Sequence, residues 1–427
     1  MKQFSATNSH SMKIKVALLF GGNSAEHDIS IISALQAGYA LDKEKYEVYP
    51  IYLAKNGEMY WGDSTGLLEA YTGGNLPLLL KRSFRVTLMR RDGQVFLYAL
   101  HGRRFFRKPV TALDVALPIV HGTNAEDGTL QGYLQTLGLP YAGCDVTSSA
   151  VGMDKFITKV LLKHCGIPVL DCLRIASDAF RTEPEAWSAR IEAAFAYPVI
   201  VKPVNCGSSI GIAKADDRDA LNEALEDAFH YADTVIVERA IVHLREINCS
   251  VLGNAEHAEA SVCEEPLKAD EILSFNDKYL GGAKGDTKNA VKDGFGGVKT
   301  AGAGVKSSGM ASLKRKIPAS IPEETRSLIQ KTAIEAFRAL DCCGVARIDF
   351  LMDTDTGKIF FNEINTIPGS LSFYLWEPTG IKYPELLDRL ISLALKRERR
   401  RQTLTFSFAS SVLDDIHLSG AKSGSKF

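Results

Sequence analysis

The chain has 427 residues, 45% hydrophobic and 24% charged, and its 50 lysines and arginines against 51 acids leave a formal charge of -1. That length supports a large core in two or three domains without disulfide or metal staples, and the charge balance argues against a general nucleic-acid binder, which carries a basic excess. No run approaches the roughly 20 apolar residues of a membrane span, and the opening MKQFSATNSHSMKIKVALLFGG lacks a signal peptide's apolar stretch, so the expectation is a cytoplasmic protein with no membrane partner. The eight cysteines form no CxxC pair and are expected to be reduced thiols.

In chain order, residues 1–12 read as a polar arm. The run KIKVALLF from Lys13 predicts a buried strand stopped by Gly21-Gly22, then a helix over 29–41 and the strand YEVYPIYL. FRVTLMRRDGQVFLYAL predicts a hairpin about Asp92-Gly93. VALPIV at 115–120 is another buried strand, and GTLQGYLQTLGLPYAG reads as helix, glycine stop and short strand. Strand alternating with helix predicts an α/β domain on a parallel sheet over 13–150. A smaller unit over 151–239 holds the helix DKFITKVLLKHCG, the strand YPVIVKPV, the loop NCGSSIG, the helix RDALNEALEDAF and the strand TVIVER. A third unit over 240–396 opens with REINCSVLG and HAEASVCEEP and ends in helix, strand, turn, strand, loop and helix. Between them a Gly- and Lys-rich segment, 280–320, is either a lid or a dispensable insertion. Residues 397–427 read as a peripheral tail.

Four segments carry chemistry. In KPVNCGSSIGI, a strand ends at Lys202 and a turn of small residues follows, where backbone amides can point at phosphate. It is no Walker loop, since G-x-x-x-x-G-K-[ST] is absent. In RIDFLMDTDTGKIFFNEINTIPG, two strands joined by a turn put Arg347 and Asp349 on one face and Glu363 and Asn365 across from them. Two carboxylates and an amide oxygen there suit magnesium, its octahedron completed by water and phosphate oxygens; the bland alternative is a ladder of surface ion pairs. LFGGNSAEHDIS has a glycine pair after the first strand but no G-x-G-x-x-G, which excludes a dinucleotide fingerprint, and Glu26 sits before a helix where it can cap or bind. HGTNAEDGTLQG again follows a buried strand, so His121 and Asp127 lie either at a ligand crevice or in structural roles.

Taken in this order, LFGGNSAEHDIS, HGTNAEDGTLQGYLQTLGLPYAG, MDKFITKVLL, PVIVKPVNCGSSIGI, VERAIVHLREINCSVLGN and RIDF…NEINTIPG resemble the D-alanine–D-alanine ligase family over residues 13–396. The resemblance implies a three-domain α/β ATP-grasp fold with an N-terminal Rossmann-like domain, and a homodimer using ATP and magnesium or manganese, two ions, on D-alanine. It implies Lys155 and Lys202 as nucleotide-phosphate lysines, with Ser208 and Ser209 in the loop. Glu238 and the adjacent Arg239 fall on the adenine side and Glu246 at the ribose. Asp349, Glu363 and Asn365 fall at the metal. Glu26, with Ser208 and Tyr279, holds the first substrate's ammonium group. His121 lines the substrate pocket, Lys278 lies near the second substrate, and Arg347 with the Gly369 amide stabilises the oxyanion.

The resemblance implies phosphoryl transfer from ATP to one D-alanine, then attack by the amine of a second. One position departs: where the family has a serine for the second substrate's carboxylate, PGSLSFYLWEP has Tyr374, leaving Ser370, Ser372 or the tyrosine itself as donors beside Lys278. The alternatives are a ligase taking D-serine or D-lactate second, against which Tyr279 weighs, and a non-catalytic nucleotide-binding regulator, against which the intact lysines and acids weigh.

Overall fold

Alternate residues of the first apolar run face opposite sides, as strand geometry requires: Val16, Leu18 and Phe20 join one core cluster, Ala17 and Leu19 another. The run is strand β1 (Ile14–Gly21) of a computed structural model that describes residues 13–100, 108–267 and 315–406. Helix α1 (His27–Ala40) covers the first face and leads to β2 (Tyr46–Leu53), then β3 (Met59–Trp61), α2 (Leu76–Arg82), β4 (Phe84–Arg91), β5 (Gln94–Ala99), β6 (Thr111–Leu113) and β7 (Val115–Ile119). The seven strands lie in the order β6-β5-β4-β3-β2-β1-β7. The expectation of a parallel sheet holds only for β2, β1 and β7. The pairs from β2 through β6 are antiparallel, because short connections such as Asp92-Gly93 return the chain at once, whereas parallel neighbours need a crossover. Helix α3 (Thr129–Leu137) and α4 (Val146–Met153) complete the unit, and α4 runs through the boundary expected at residue 150.

The central unit starts with α5 (Lys155–His164), whose N-cap Asp154 accepts hydrogen bonds from the Phe156 and Ile157 amides. It continues through β8 (Cys172–Ala176), α6 (Ser177–Thr182), α7 (Pro184–Ala194), β9 (Val199–Pro203), β10 (Ala213–Ala215), α8 (Arg218–Ala228) and β11 (Thr234–Arg239). Its sheet runs β10-β9-β11-β8, antiparallel throughout.

The third unit has the sheet β14-β13-β12-β15-β16, built from β12 (Leu244–Gly253), β13 (Ala258–Pro266), β14 (Arg315–Lys316), β15 (Gly344–Asp353) and β16 (Ile359–Asn365). Helix α9 (Glu323–Ala339) covers its apolar face with Ile329, Ala333, Ala336 and Phe337. After α10 (Phe373–Trp376), the last helix α11 (Tyr383–Gln402) crosses back to the first unit. Its Leu387, Leu390, Ile391 and Ala394, at helical spacing, pack in one cluster with Phe20, Ile31, Ala34 and Leu35. The tail expected from residue 397 is therefore corrected. Helix α11 continues to Gln402, and Arg397 donates to the Gly143 carbonyl at 2.7 Å and the Tyr141 carbonyl at 2.6 Å. The segment expected as loop to residue 320 is also shortened, since Arg315 and Lys316 already pair with Pro266 and Glu265.

Candidate active site

Three lysines that charge alone would keep in water are buried together: Lys155 and Lys159 one turn apart on α5, and Lys202 near the end of β9. Glu238 on β11, also buried, pairs with both Lys159 and Lys202. Burial alone would raise its pKa, but the two ammonium groups more than offset this and hold it at about 2. Lys202 also donates to the Asn362 amide oxygen at 3.0 Å, and Lys155 donates to the Cys206 carbonyl at 2.6 Å and stands 3.5 Å from Glu363. Positive charge thus gathers where β9 enters the Gly/Ser loop, in a low-dielectric setting suited to an anion. Ser208 and Ser209 at the loop's tip have left-handed backbones, φ 54° and 60°. Arg239 follows Glu238 and stacks on Phe360, 5.5 Å from the ring centre.

On the third unit's sheet a polar row crosses four strands in register, Glu264 to Asn248 to Asp349 to Glu363. Arg347 faces Asn365 two pairs further along, and Glu246 lies two residues before Asn248. The expected shared face of Asp349, Glu363 and Asn365 is present. Arg347 grips Asp349 with two hydrogen bonds of 2.7 Å, and Asn365 donates to the same carboxylate at 3.2 Å. Burial, with the nearby Glu363 and Glu264 charges, lifts the Asp349 pKa against the pull of Arg347. Burial also works against the arginine's charge, and Asp349 overcomes it. No cluster of three or more His, Cys, Asp or Glu side chains gathers as a metal cage among the described residues. Two carboxylates plus one amide oxygen nevertheless fit magnesium, which prefers one or two carboxylates plus water and phosphate to a full protein cage.

Glu26, just before α1, reaches across to the central unit and accepts a hydrogen bond from Ser208. The approach requires glycines: a β-carbon on Gly122 would lie 2.9 Å, and one on Gly207 3.2 Å, from a Glu26 carboxylate oxygen. His121 is buried with both ring nitrogens engaged, Nδ1 with the Ile367 carbonyl at 2.7 Å and Nε2 with the Ser33 hydroxyl at 3.1 Å. Burial lowers its pKa and favours the neutral ring. Glu126 accepts from the Gly122 amide at 2.8 Å and from the Ile367 amide at 3.1 Å, and burial together with the Glu26 charge raises its pKa to about 8. A narrow cavity lined by Glu126, Lys155, Gly207, Glu363 and Asn365 joins this side to the lysines and the acidic row.

After Pro368-Gly369 the backbone takes three successive left-handed residues, Ser370, Leu371 and Ser372, at φ 49°, 53° and 51°. Each costs on the order of 1–3 kcal/mol, and such strain persists only where neighbours enforce it. Here the Ser370 amide donates to Ser33 at 3.0 Å, its hydroxyl donates to Gln36 at 2.8 Å, and Leu371 is buried in the core. Ser370 is thus tied to α1, while the buried Ser372 hydroxyl has no hydrogen-bond partner among the described residues. Tyr374 lies under Arg315, 4.5 Å from guanidinium to ring centre, with its hydroxyl 3.4 Å from Glu264. Lys278 and Tyr279 lie outside the described residues. Lys159, Glu126, Ser33, Glu264 and Arg315 were not singled out from the sequence; only Lys159, one helical turn from Lys155, carried a local signal.

Two family models match the chain, D-ala D-ala ligase N-terminus over residues 15–144 and D-ala D-ala ligase C-terminus over 161–293 and 305–392. A D-alanine–D-alanine ligase of Caldicellulosiruptor bescii is 38% identical over 92% of this chain and 99% of its own length. One from Bacillus cytotoxicus is 34% identical over 92% of this chain and 99% of its own. Among solved structures, the D-alanine-D-alanine ligase from Coxiella burnetii superposes with a TM-score of 0.72 at 30% identity, covering 92% of this chain and 97% of that one. The VanG D-Ala:D-Ser ligase from Enterococcus faecalis superposes at 0.71 with 29% identity, covering 90% and 100%. With these matches spanning all three units and their shared site, the chain belongs to the D-alanine–D-alanine ligase family.

Proposed function

We propose that this chain joins two D-alanines to D-alanyl-D-alanine at the expense of ATP, for peptidoglycan precursor synthesis. The observation that carries the reading is one cavity lined by Lys155, Glu363 and Asn365, with Asp349 paired beside Glu363, the buried Lys159 and Lys202 joined through Glu238, and Glu26 bonded to Ser208 of the Gly/Ser loop. Lys155 and Lys202 bind the nucleotide's phosphates, with Ser208 and Ser209 in the loop above, and Glu238, Arg239 and Glu246 line the base and ribose side. Magnesium or manganese on Asp349, Glu363 and Asn365 supplies neutralisation of the charge on the transferring phosphoryl group.

Glu26 holds the ammonium group of the first D-alanine, oriented by Ser208, and His121 and Glu126 brace that pocket against the turn at Ile367. The substrate carboxylate attacks the γ-phosphorus, an oxygen–phosphorus bond forms, and ADP leaves. The second amine then attacks the acyl carbon, inorganic phosphate departs, and the nitrogen sheds a proton. Arg347 and the Gly369 amide stabilise the tetrahedral oxyanion, a contribution of about 3–4 kcal/mol per donor. Excluding water from the acyl phosphate separates ligation from wasteful hydrolysis.

The test is ADP release with ATP, magnesium and a panel of D-amino and D-hydroxy acids, products identified by mass. D-alanyl-D-alanine as the main product supports the reading. D-alanyl-D-serine or a D-lactate ester as the main product replaces the second substrate, and the absence of product with every acceptor leaves a nucleotide-binding protein.

A further inference from the structure

The three lysines of the nucleotide side differ in what they meet. Lys155 reaches the Gly/Ser loop, donating to the Cys206 carbonyl at 2.6 Å, and lines the cavity. Lys202 donates across to the third unit, to the Asn362 amide oxygen at 3.0 Å. Lys159 turns the other way: besides Glu238 it meets the Leu170 carbonyl at 3.4 Å, on the connection between α5 and β8. Glu238 takes one lysine on each oxygen, Lys202 on Oε1 and Lys159 on Oε2. Lys202 stands opposite Ile236, two residues before Glu238, so the two side chains share one face of the sheet, and α5 sets Lys159 against it. Water does little to screen the trio, with Lys159 3%, Lys202 6% and Glu238 1% exposed.

A carboxylate with one ammonium partner is already neutralised. A second buried ammonium is not needed for that and carries a desolvation cost of its own. What it adds is charge: Glu238 with Lys202 alone is neutral, whereas Glu238 with both lysines holds one net positive charge. In a low-dielectric interior that difference acts on an anion at a distance, since a net charge attracts over a longer range than a neutral pair. We propose that Lys159 is a positioning residue for nucleotide binding: by occupying one oxygen of Glu238 it keeps Lys202 from being neutralised, so that Lys202 meets a phosphate as a cation. The inference rests on the ligase reading above, in which Lys202 binds the nucleotide's phosphates. Lys159 touches no phosphate on this account and acts through Glu238 and Lys202.

The experiment measures binding to the full chain by calorimetry with two probes, magnesium tripolyphosphate, which has no base, and adenosine, which has no phosphate. Lys159→Met is expected to weaken tripolyphosphate binding about 10-fold or more and to leave adenosine binding within about twofold. Adding Glu238→Gln to Lys159→Met brings back one net positive charge, so the double variant should recover most of the lost tripolyphosphate affinity. Glu238→Gln alone, with two positive charges, should bind tripolyphosphate more tightly than the wild type does. A folded Lys159→Met protein that binds tripolyphosphate as the wild type does overturns this proposal alone. Equal losses for both probes, or a double variant no better than Lys159→Met, also overturn it and mark Lys159 as structural. If Lys159→Met does not fold, the double variant is compared with Glu238→Gln, from which it differs only at Lys159: weaker tripolyphosphate binding supports the proposal and equal binding overturns it. A wild type that binds neither ATP nor tripolyphosphate overturns the ligase reading and this proposal together.

Discussion

The nucleotide side and the acceptor side of the site solve the same problem, a buried charge, in opposite ways. Around Glu238 the solution is local: Lys155 and Lys159 share one helix, and Lys202 and Glu238 sit on adjacent strands. Positive charge exceeds negative, which favours a polyanionic ligand. Beyond Pro368 the solution is distributed. Three left-handed residues are held by α1, and Tyr374 rests on an arginine from the far edge of the sheet. On the proposed reading the first arrangement serves phosphoryl transfer, and the second lies on the side of the acceptor. Changes on the nucleotide and metal side should therefore reduce turnover or folding as a whole, and changes on the acceptor side should shift selectivity.

The largest effect is expected at the row joining the two regions. Glu363→Gln should lower turnover on the order of 1,000-fold or more while the thermal midpoint stays close to that of the wild type, because hard-cation binding depends on charge; Asp349→Asn should lower turnover as much and lose stability as well, because it leaves the buried Arg347 without its carboxylate. Steady-state rates over a wide magnesium range, with circular dichroism alongside, provide the check. Near-normal turnover at saturating magnesium in either variant would remove the metal assignment.

A smaller loss, in stability, is expected at Glu238→Gln. Removing one member of a buried charge network typically costs about 3–5 kcal/mol, since the remaining charges lose their counter-ion. Glu238 also gives the wild type a pH signature. Its folded pKa, about 2, lies below the ordinary 4.5, so its contribution is fully present above pH 4.5 and fades as pH falls from there toward 2. Denaturant unfolding from pH 7 downward should show wild type and variant converging in acid. A constant gap across that range would mean the carboxylate does not carry the effect.

The sequence made the first region readable and the second only in outline. Lys202 before NCGSSIG, and the i, i+2 pairs Arg347/Asp349 and Glu363/Asn365, follow from strand geometry, so their shared faces needed no long-range information. The partly antiparallel first sheet was less legible, because strand periodicity does not encode pairing direction. Helix α11 packing against α1, and Arg397 closing on Gly143, depend on partners more than 200 residues away. Ser370 looked like a ligand donor because a serine near a substrate is a natural candidate, yet its hydroxyl is engaged by Gln36. Arg315 had no local pattern at all: its place over Tyr374 exists only once β14 pairs with β13.

The smallest effect, and the finest test of the boundary between the two regions, is expected at Glu126→Gln. Glu126 links the loop after β7 to the turn before Gly369 by accepting from two backbone amides, one on each of its oxygens. Glutamine has the same shape but only one acceptor oxygen, so one buried amide loses its partner, at a cost of about 1–3 kcal/mol. An opposing contribution grows with pH. The folded pKa, about 8, lies above the ordinary 4.5, so the native state retains a proton that the unfolded chain releases. The stability tied to that proton is full below pH 4.5 and is lost as pH rises through 8. Glutamine carries no such proton and escapes that loss. The variant should thus be less stable than the wild type near pH 5, and the gap should narrow toward pH 8 as the wild type declines. Paired denaturant titrations at half-unit pH steps would follow the gap. A difference that stays level from pH 5 to 8 would show that Glu126 is ionised throughout, held only by its two amides, and that the negative charge of Glu26 does not reach it.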